Sequence, residues 1–119
     1  MFESSAGGFD PPLDLVHLAR QCLGDHELEA ELLGLFRQQA RTLTAELSAS
    51  TPLSLKARIA HTLRGSALAV GAGRVASAAQ RIEELASAPG DQPLAEAGAV
   101  AALLSAVAEA LTEIDRIRG

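Results

Sequence analysis

The sequence predicts an all-α fold: an antiparallel four-helix bundle, running up-down-up-down, with a short additional N-terminal helix. Three observations carry this. Apolar residues recur three and four apart in five separate segments, the period of a helix that buries one face. Short clusters of Gly, Pro and Asp separate those segments, and short connections join antiparallel neighbours. The chain has 119 residues, 48% of them hydrophobic and only 3% aromatic, which suffices for one core made of aliphatic side chains.

Residues 1–12, with Gly7-Gly8 and Pro11-Pro12, read as a flexible leader, and 13–119 as the helical domain. Leu15, Leu18, Ala19, Cys22 and Leu23 fall at i, i+3, i+4, i+7 and i+8 and predict a short amphipathic helix. Gly24 suits its C-terminal stop, and Asp25 can cap the helix that follows. There Leu28, Leu32, Leu35, Phe36, Leu43 and Leu47 form the apolar stripe. Thr51-Pro52 reads as an N-cap with proline at the first helical position. The third helix buries Leu55, Ile59, Leu63, Ala67 and Val70 before Gly71 and Gly73 break it. Val75, Ala78, Ala79, Ile82 and Leu85 make a fourth stripe. After the turn Pro89-Gly90-Asp91, the residues Val100, Leu104, Val107, Leu111 and Ile114 repeat with the spacing of a bundle seam.

Composition excludes several functions. The absence of Trp and Tyr leaves no aromatic platform for stacking bases, and a net charge of −5 further argues against nucleic acid. The single cysteine, Cys22, allows no internal disulfide, fits a reducing compartment and sits in an apolar stripe as a small core residue. No apolar run approaches the ~20 residues of a membrane span, and no basic-then-apolar signal sequence opens the chain. The expectation is a cytoplasmic monomer without a membrane or nucleic-acid partner. His17 and His26 lie off the stripes as surface residues, and neither has metal-ligand spacing, so no metal or other cofactor is expected.

The run His61-Thr62-Leu63-Arg64-Gly65-Ser66-Ala67-Leu68 holds the candidate chemistry. His61 is about 200° around the helix from both Ile59 and Leu63, so it points away from the core stripe. Arg64 and Gly65 flank it on its own face, and Gly in mid-helix costs about 1 kcal/mol against Ala. Bare backbone one turn from an imidazole gives another protein room to approach. Ala57, Arg58 and Leu68 lie on the same face, within about 60° of His61. An imidazole can accept a phosphoryl group on an unprotonated, exposed nitrogen, provided the other nitrogen has an acceptor to hold its proton. Glu83, 22 residues on and beyond the Gly71–Gly73 break, is the candidate acceptor on a returning helix. Between Glu46 and Glu83 there is no acid, whereas Lys56, Arg58, Arg64, Arg74 and Arg81 supply five of the ten basic residues. This local basic stretch suits an acidic partner pocket.

The run resembles the signature of histidine-containing phosphotransfer (HPt) domains: His, an apolar residue, Lys or Arg, Gly, two small residues, then an apolar residue and Gly. His61, Leu63, Arg64, Gly65, Ser66, Ala67, Val70 and Gly71 fill it in order. Leu15–Leu23, the Gly24-Asp25 punctuation, the long helix with Phe36 and the segment Gly73-Arg74-Val75 are similar to the family's layout. The resemblance implies a phosphoryl carrier that takes its group from a receiver aspartate and has no ATP-dependent kinase activity of its own. It implies His61 as acceptor through Nε2, Glu83 orienting Nδ1 and Arg64 stabilising charge, with Ala57, Arg58, Gly65 and Leu68 meeting the partner. The partners implied are response-regulator receiver domains or a hybrid histidine kinase, with any Mg²⁺ in the receiver's pocket. Two other readings stay open: a non-carrying module that binds receivers through the same face, and the phosphoacceptor domain of a chemotaxis-type kinase.

Overall fold

The computed structural model describes residues 11–48 and 50–118. Most of the expected leader, residues 1–10, lies outside the described residues. Among the described residues there are five helices and no strand: α1 (Leu15–Gln21), α2 (His26–Ala45), α3 (Leu53–Val70), α4 (Gly73–Ser87) and α5 (Pro93–Arg118). The most extensive packing is between α3 and α4. Contacts of α2 with α3, α4 with α5 and α2 with α5 complete the bundle, and α1 lies against α3 and α2.

Local chemistry fixes the ends. Asp14 caps α1 by accepting from His17 N at 3.0 Å, and Asp25 caps α2 through Leu28 N at 3.1 Å. At α3 the expected Thr51 cap is shifted by one residue, with Pro52 in the N-cap position. Thr51 is instead occupied in the loop, where its hydroxyl donates to Glu46 O and accepts from Ser48 N. Gly71 ends α3 in the left-handed conformation, φ 80°. A Cβ there would come within 2.8 Å of Asp14 O, and Asp14 N donates to Gly71 O at 2.8 Å. This glycine therefore serves two ends: it stops α3 and lets the entry to α1 dock on the break.

The α3 and α4 stripes are buried largely as expected. Ile59, Leu63, Ala67 and Val70 face Val75, Ala79, Ile82 and Leu85 across the core, with Leu55 and Ala78 at its margin. The other helices are rotated from their expected registers. In α2 the core face is Leu33, Phe36 and Ala40, while Leu28 and Leu35 are 38% and 58% exposed. The helix turns toward α5, where Arg37 Nε donates to Asp115 Oδ1 at 2.8 Å and the Arg118 guanidinium lies over Gly34. In α5 the buried line is Ala99, Leu103, Ala106, Val107, Ala110 and Ile114, and Leu104 is exposed. Alanines let the backbones approach, so the small residues mark the seam better than the large ones. In α1 only Leu18 is buried, with Cys22 at its C-cap. The helix ends at Gln21, so Leu23 falls in a left-handed turn at φ 53° and is 93% exposed.

Burial holds the Cys22 thiol pKa above its ordinary value, with Glu29 and Asp25 adding repulsion. Contrary to the expectation that no apolar run approaches a membrane span, one helix among the described residues, α5, is long and apolar enough by length and composition to cross one, with a mean hydropathy of 1.7 over its best window. Much of that value comes from alanine, and one face of the helix lies in the core.

Candidate functional site

The α3–α4 pairing, set by the short break at Gly71-Ala72, brings His61 and Glu83 together. The His61 side chain is 69% exposed, and its Nδ1 lies 2.9 Å from Glu83 Oε2, whose side chain is only 24% exposed. An ionised carboxylate only accepts, so in the neutral ring this contact puts the proton on Nδ1 and leaves Nε2 with its lone pair. His61 faces solvent because the apolar positions on either side of it, Ile59 and Leu63, take the core.

The same carboxylate engages Arg64. Arg64 Nε lies 2.6 Å from Glu83 Oε1, with the arginine side chain 35% exposed. Both atoms are buried, and neither completes an aligned hydrogen bond, so the contact is a close ion pair rather than a directed bond. Glu83 thus spans His61 and Arg64, one residue on each oxygen.

Gly65 is exposed, and a Cβ built on it meets nothing within 4 Å. Packing does not demand this glycine. Ala57 is half-buried, Arg58 is exposed, and Leu68 is 53% exposed. All four lie along the solvent side of α3, as the spacing predicts.

The basic stretch is corrected. Lys56 is 4% exposed, on the opposite side of α3 from His61, and its Nζ is 2.5 Å from Glu96 Oε2 on α5. Arg74 pairs with Glu109 at 2.9 Å, Arg81 reaches Glu84 at 3.8 Å, and Arg64 has Glu83. Of the five bases, only Arg58 makes no ion pair among the described residues. The clustering is real along the chain, but the acids of other segments answer it in space.

Three contributors were missed. His17, expected on the surface, is half-buried, and its Nε2 lies 2.9 Å from the carbonyl of Leu68. A carbonyl accepts, so Nε2 carries the hydrogen and satisfies one of the carbonyls left free at the end of α3. Gln39 of α2 accepts a hydrogen bond from the Ser66 hydroxyl. Leu35 extends the exposed apolar face beside Ser66 along the groove between α2 and α3. The amphipathic period places Leu35 on the stripe with Leu28 and Leu32, so it gives no sign of this exposure, and long-range pairing of His17 and Gln39 leaves no local signal either. His26, by contrast, is exposed as expected, 3.7 Å from Glu29.

A family model, the Hpt domain, matches residues 31–117, from the first turns of α2 almost to the end of α5. Comparisons with curated proteins and with solved structures gave no match. The match takes in the exposed histidine, its carboxylate neighbour and four of the five helices: the chain belongs to the Hpt domain family.

Proposed function

We propose that this protein is a phosphoryl carrier of a multistep two-component relay, accepting phosphoryl on His61 from a receiver aspartate and passing it to another receiver. Membership of the family implies histidine phosphotransfer in two-component signalling, and contact with receiver domains or kinases. Hpt domains are phosphocarriers, not kinases.

The observation that carries the finer reading is the 2.9 Å contact between Glu83 and Nδ1 of an exposed imidazole. It supports Nε2 as the accepting atom, Glu83 as the group that orients the ring, and Arg64 as the cation beside the transferred group. Gly65, Arg58, Ala57 and Leu68 form the face offered to the receiver, with Leu35 at its edge. The short connections support an up-down-up-down course for α2 to α5, with 13–119 as the domain. Mg²⁺ belongs to the receiver's pocket, and the working compartment is the cytoplasm, with the carrier a monomer.

The test is incubation of the full chain with a phosphorylated receiver. Wild-type protein takes up an acid-labile phosphate, and His61→Gln takes up none while its helicity and melting stay near wild type. Uptake by His61→Gln, or a collapsed fold in that variant, refutes the assignment.

A further inference from the structure

The charges around Glu83 are balanced for an unloaded site. Its Oε2 lies 2.9 Å from His61 Nδ1, which carries the hydrogen in the neutral ring that an incoming phosphoryl group requires, and its Oε1 faces the Arg64 cation at 2.6 Å. The second contact is close but misaligned, since Arg64 Nε and Glu83 Oε1 are buried without a directed hydrogen bond. Arg64 follows His61 by one turn, about 60° around α3. Its partly exposed side chain bridges the inner carboxylate and the solvent side, where a group on Nε2 would sit.

Resting on the phosphocarrier reading, we propose that Arg64 changes partners when His61 is loaded, leaving Glu83 for the phosphoryl oxygens. In the transfer step the Nε2 lone pair forms the N–P bond as the bond from phosphorus to the receiver's aspartyl oxygen breaks. The aspartate leaves with that electron pair. No proton moves: Nδ1 keeps its hydrogen, and the ring, having given up a lone pair, becomes cationic.

This changes what each charge faces. Before transfer there is one cation, Arg64, and one anion, Glu83. Afterwards a second cation, the ring, stands against Glu83 Oε2, and a phosphoryl group with three acceptor oxygens stands on Nε2. The lowest-energy pairing is then Nδ1–H⁺ with Glu83 and the guanidinium with phosphoryl, both charge-assisted. Only the misaligned contact has to break. Passing the group to the next receiver runs the exchange backwards. The loaded carrier therefore turns a cation outward that the unloaded carrier keeps on Glu83, so the two forms present different faces to a receiver.

The experiment follows the Arg64 Nε–H resonance of the full ¹⁵N-labelled chain, identified as the peak lost in Arg64→Lys. Wild type and Glu83→Gln are each recorded before and after loading with phosphoramidate, with ³¹P spectra reporting the phosphohistidine. The Arg64 peaks of the two proteins should differ before loading, because one lacks the anionic partner, and should move to coincide after it. A difference that persists after loading means Arg64 stays on Glu83. Coincidence before loading means the pair never formed. Either overturns the exchange while the ³¹P signal leaves the carrier reading standing. Absence of that signal from His61 in wild type overturns both.

Discussion

Replacing Glu83 with alanine tests the site at its most specific contact. The substitution removes the acceptor 2.9 Å from Nδ1 and leaves Arg64 without its partner. Two losses follow for His61. The neutral ring can now carry its proton on Nε2, which blocks the lone pair, and it can turn away from the approach direction. Partners that orient metal-ligating histidines from behind contribute about 10–100-fold, and carrying that range over to this ring, transfer should slow by the same factor, about 1.4–2.7 kcal/mol in the barrier. Glu83→Gln separates the acceptor from the charge: its amide oxygen can still accept from Nδ1, so most of the rate should remain. The assay is rapid-quench transfer from a phosphorylated receiver at saturating concentration, with thermal melts run in parallel. Unchanged kinetics in Glu83→Ala would return this carboxylate to the ordinary surface. A Gln variant as slow as Ala would show that the negative charge matters and the tautomer argument is wrong.

Three further outcomes are expected. Gly65→Ala meets open space in mid-helix and should raise stability by up to about 1 kcal/mol while slowing receiver transfer, read by urea melts and quench kinetics; a destabilised variant would contradict the open backbone. Receiver association should show only a shallow salt dependence, because four of the five neighbouring bases are already paired, and Arg58→Glu should flatten it. A steep profile that survives Arg58→Glu would mean another cation steers the encounter. Gly71→Ala combines φ 80° with a Cβ 2.8 Å from Asp14 O and should cost about 1–3 kcal/mol of stability; a neutral result would mean the entry to α1 shifts freely.

The sequence made the site more legible than the bundle around it. His61, Arg64, Gly65 and Leu68 belong to one helix, where a fixed 100° step settles which face each occupies, and that step is local. Glu83 could be placed because only a short break separates α3 from α4. The registers of α2 and α5 were harder, since adjacent leucines, Leu32-Leu33 and Leu103-Leu104, offer two stripes of nearly equal apolarity. The choice was made by Ala40, Ala99, Ala106 and Ala110, whose small size permits close approach and whose hydropathy alone hardly marks them. The electrostatic stretch misled for a related reason. A charge count along the chain has no access to Glu96 and Glu109, which α5 brings back across the core to Lys56 and Arg74.

The supports on either side of the histidine helix bear on the direction of signalling. His17 holds the carbonyl of Leu68 from α1, Gln39 holds Ser66 from α2, and Glu83 holds the ring from α4. A helix braced on three sides holds the ring in one geometry, which on the proposed reading is the geometry offered to each receiver. Forward and reverse transfer then cross one barrier built by the same atoms. On the proposed carrier reading, the direction of phosphoryl flow would be set by the relative concentrations and phosphorylation energies of the receivers rather than by this helix. A relay built on such a part would be reversed by draining one receiver, with no change to the ring's own supports.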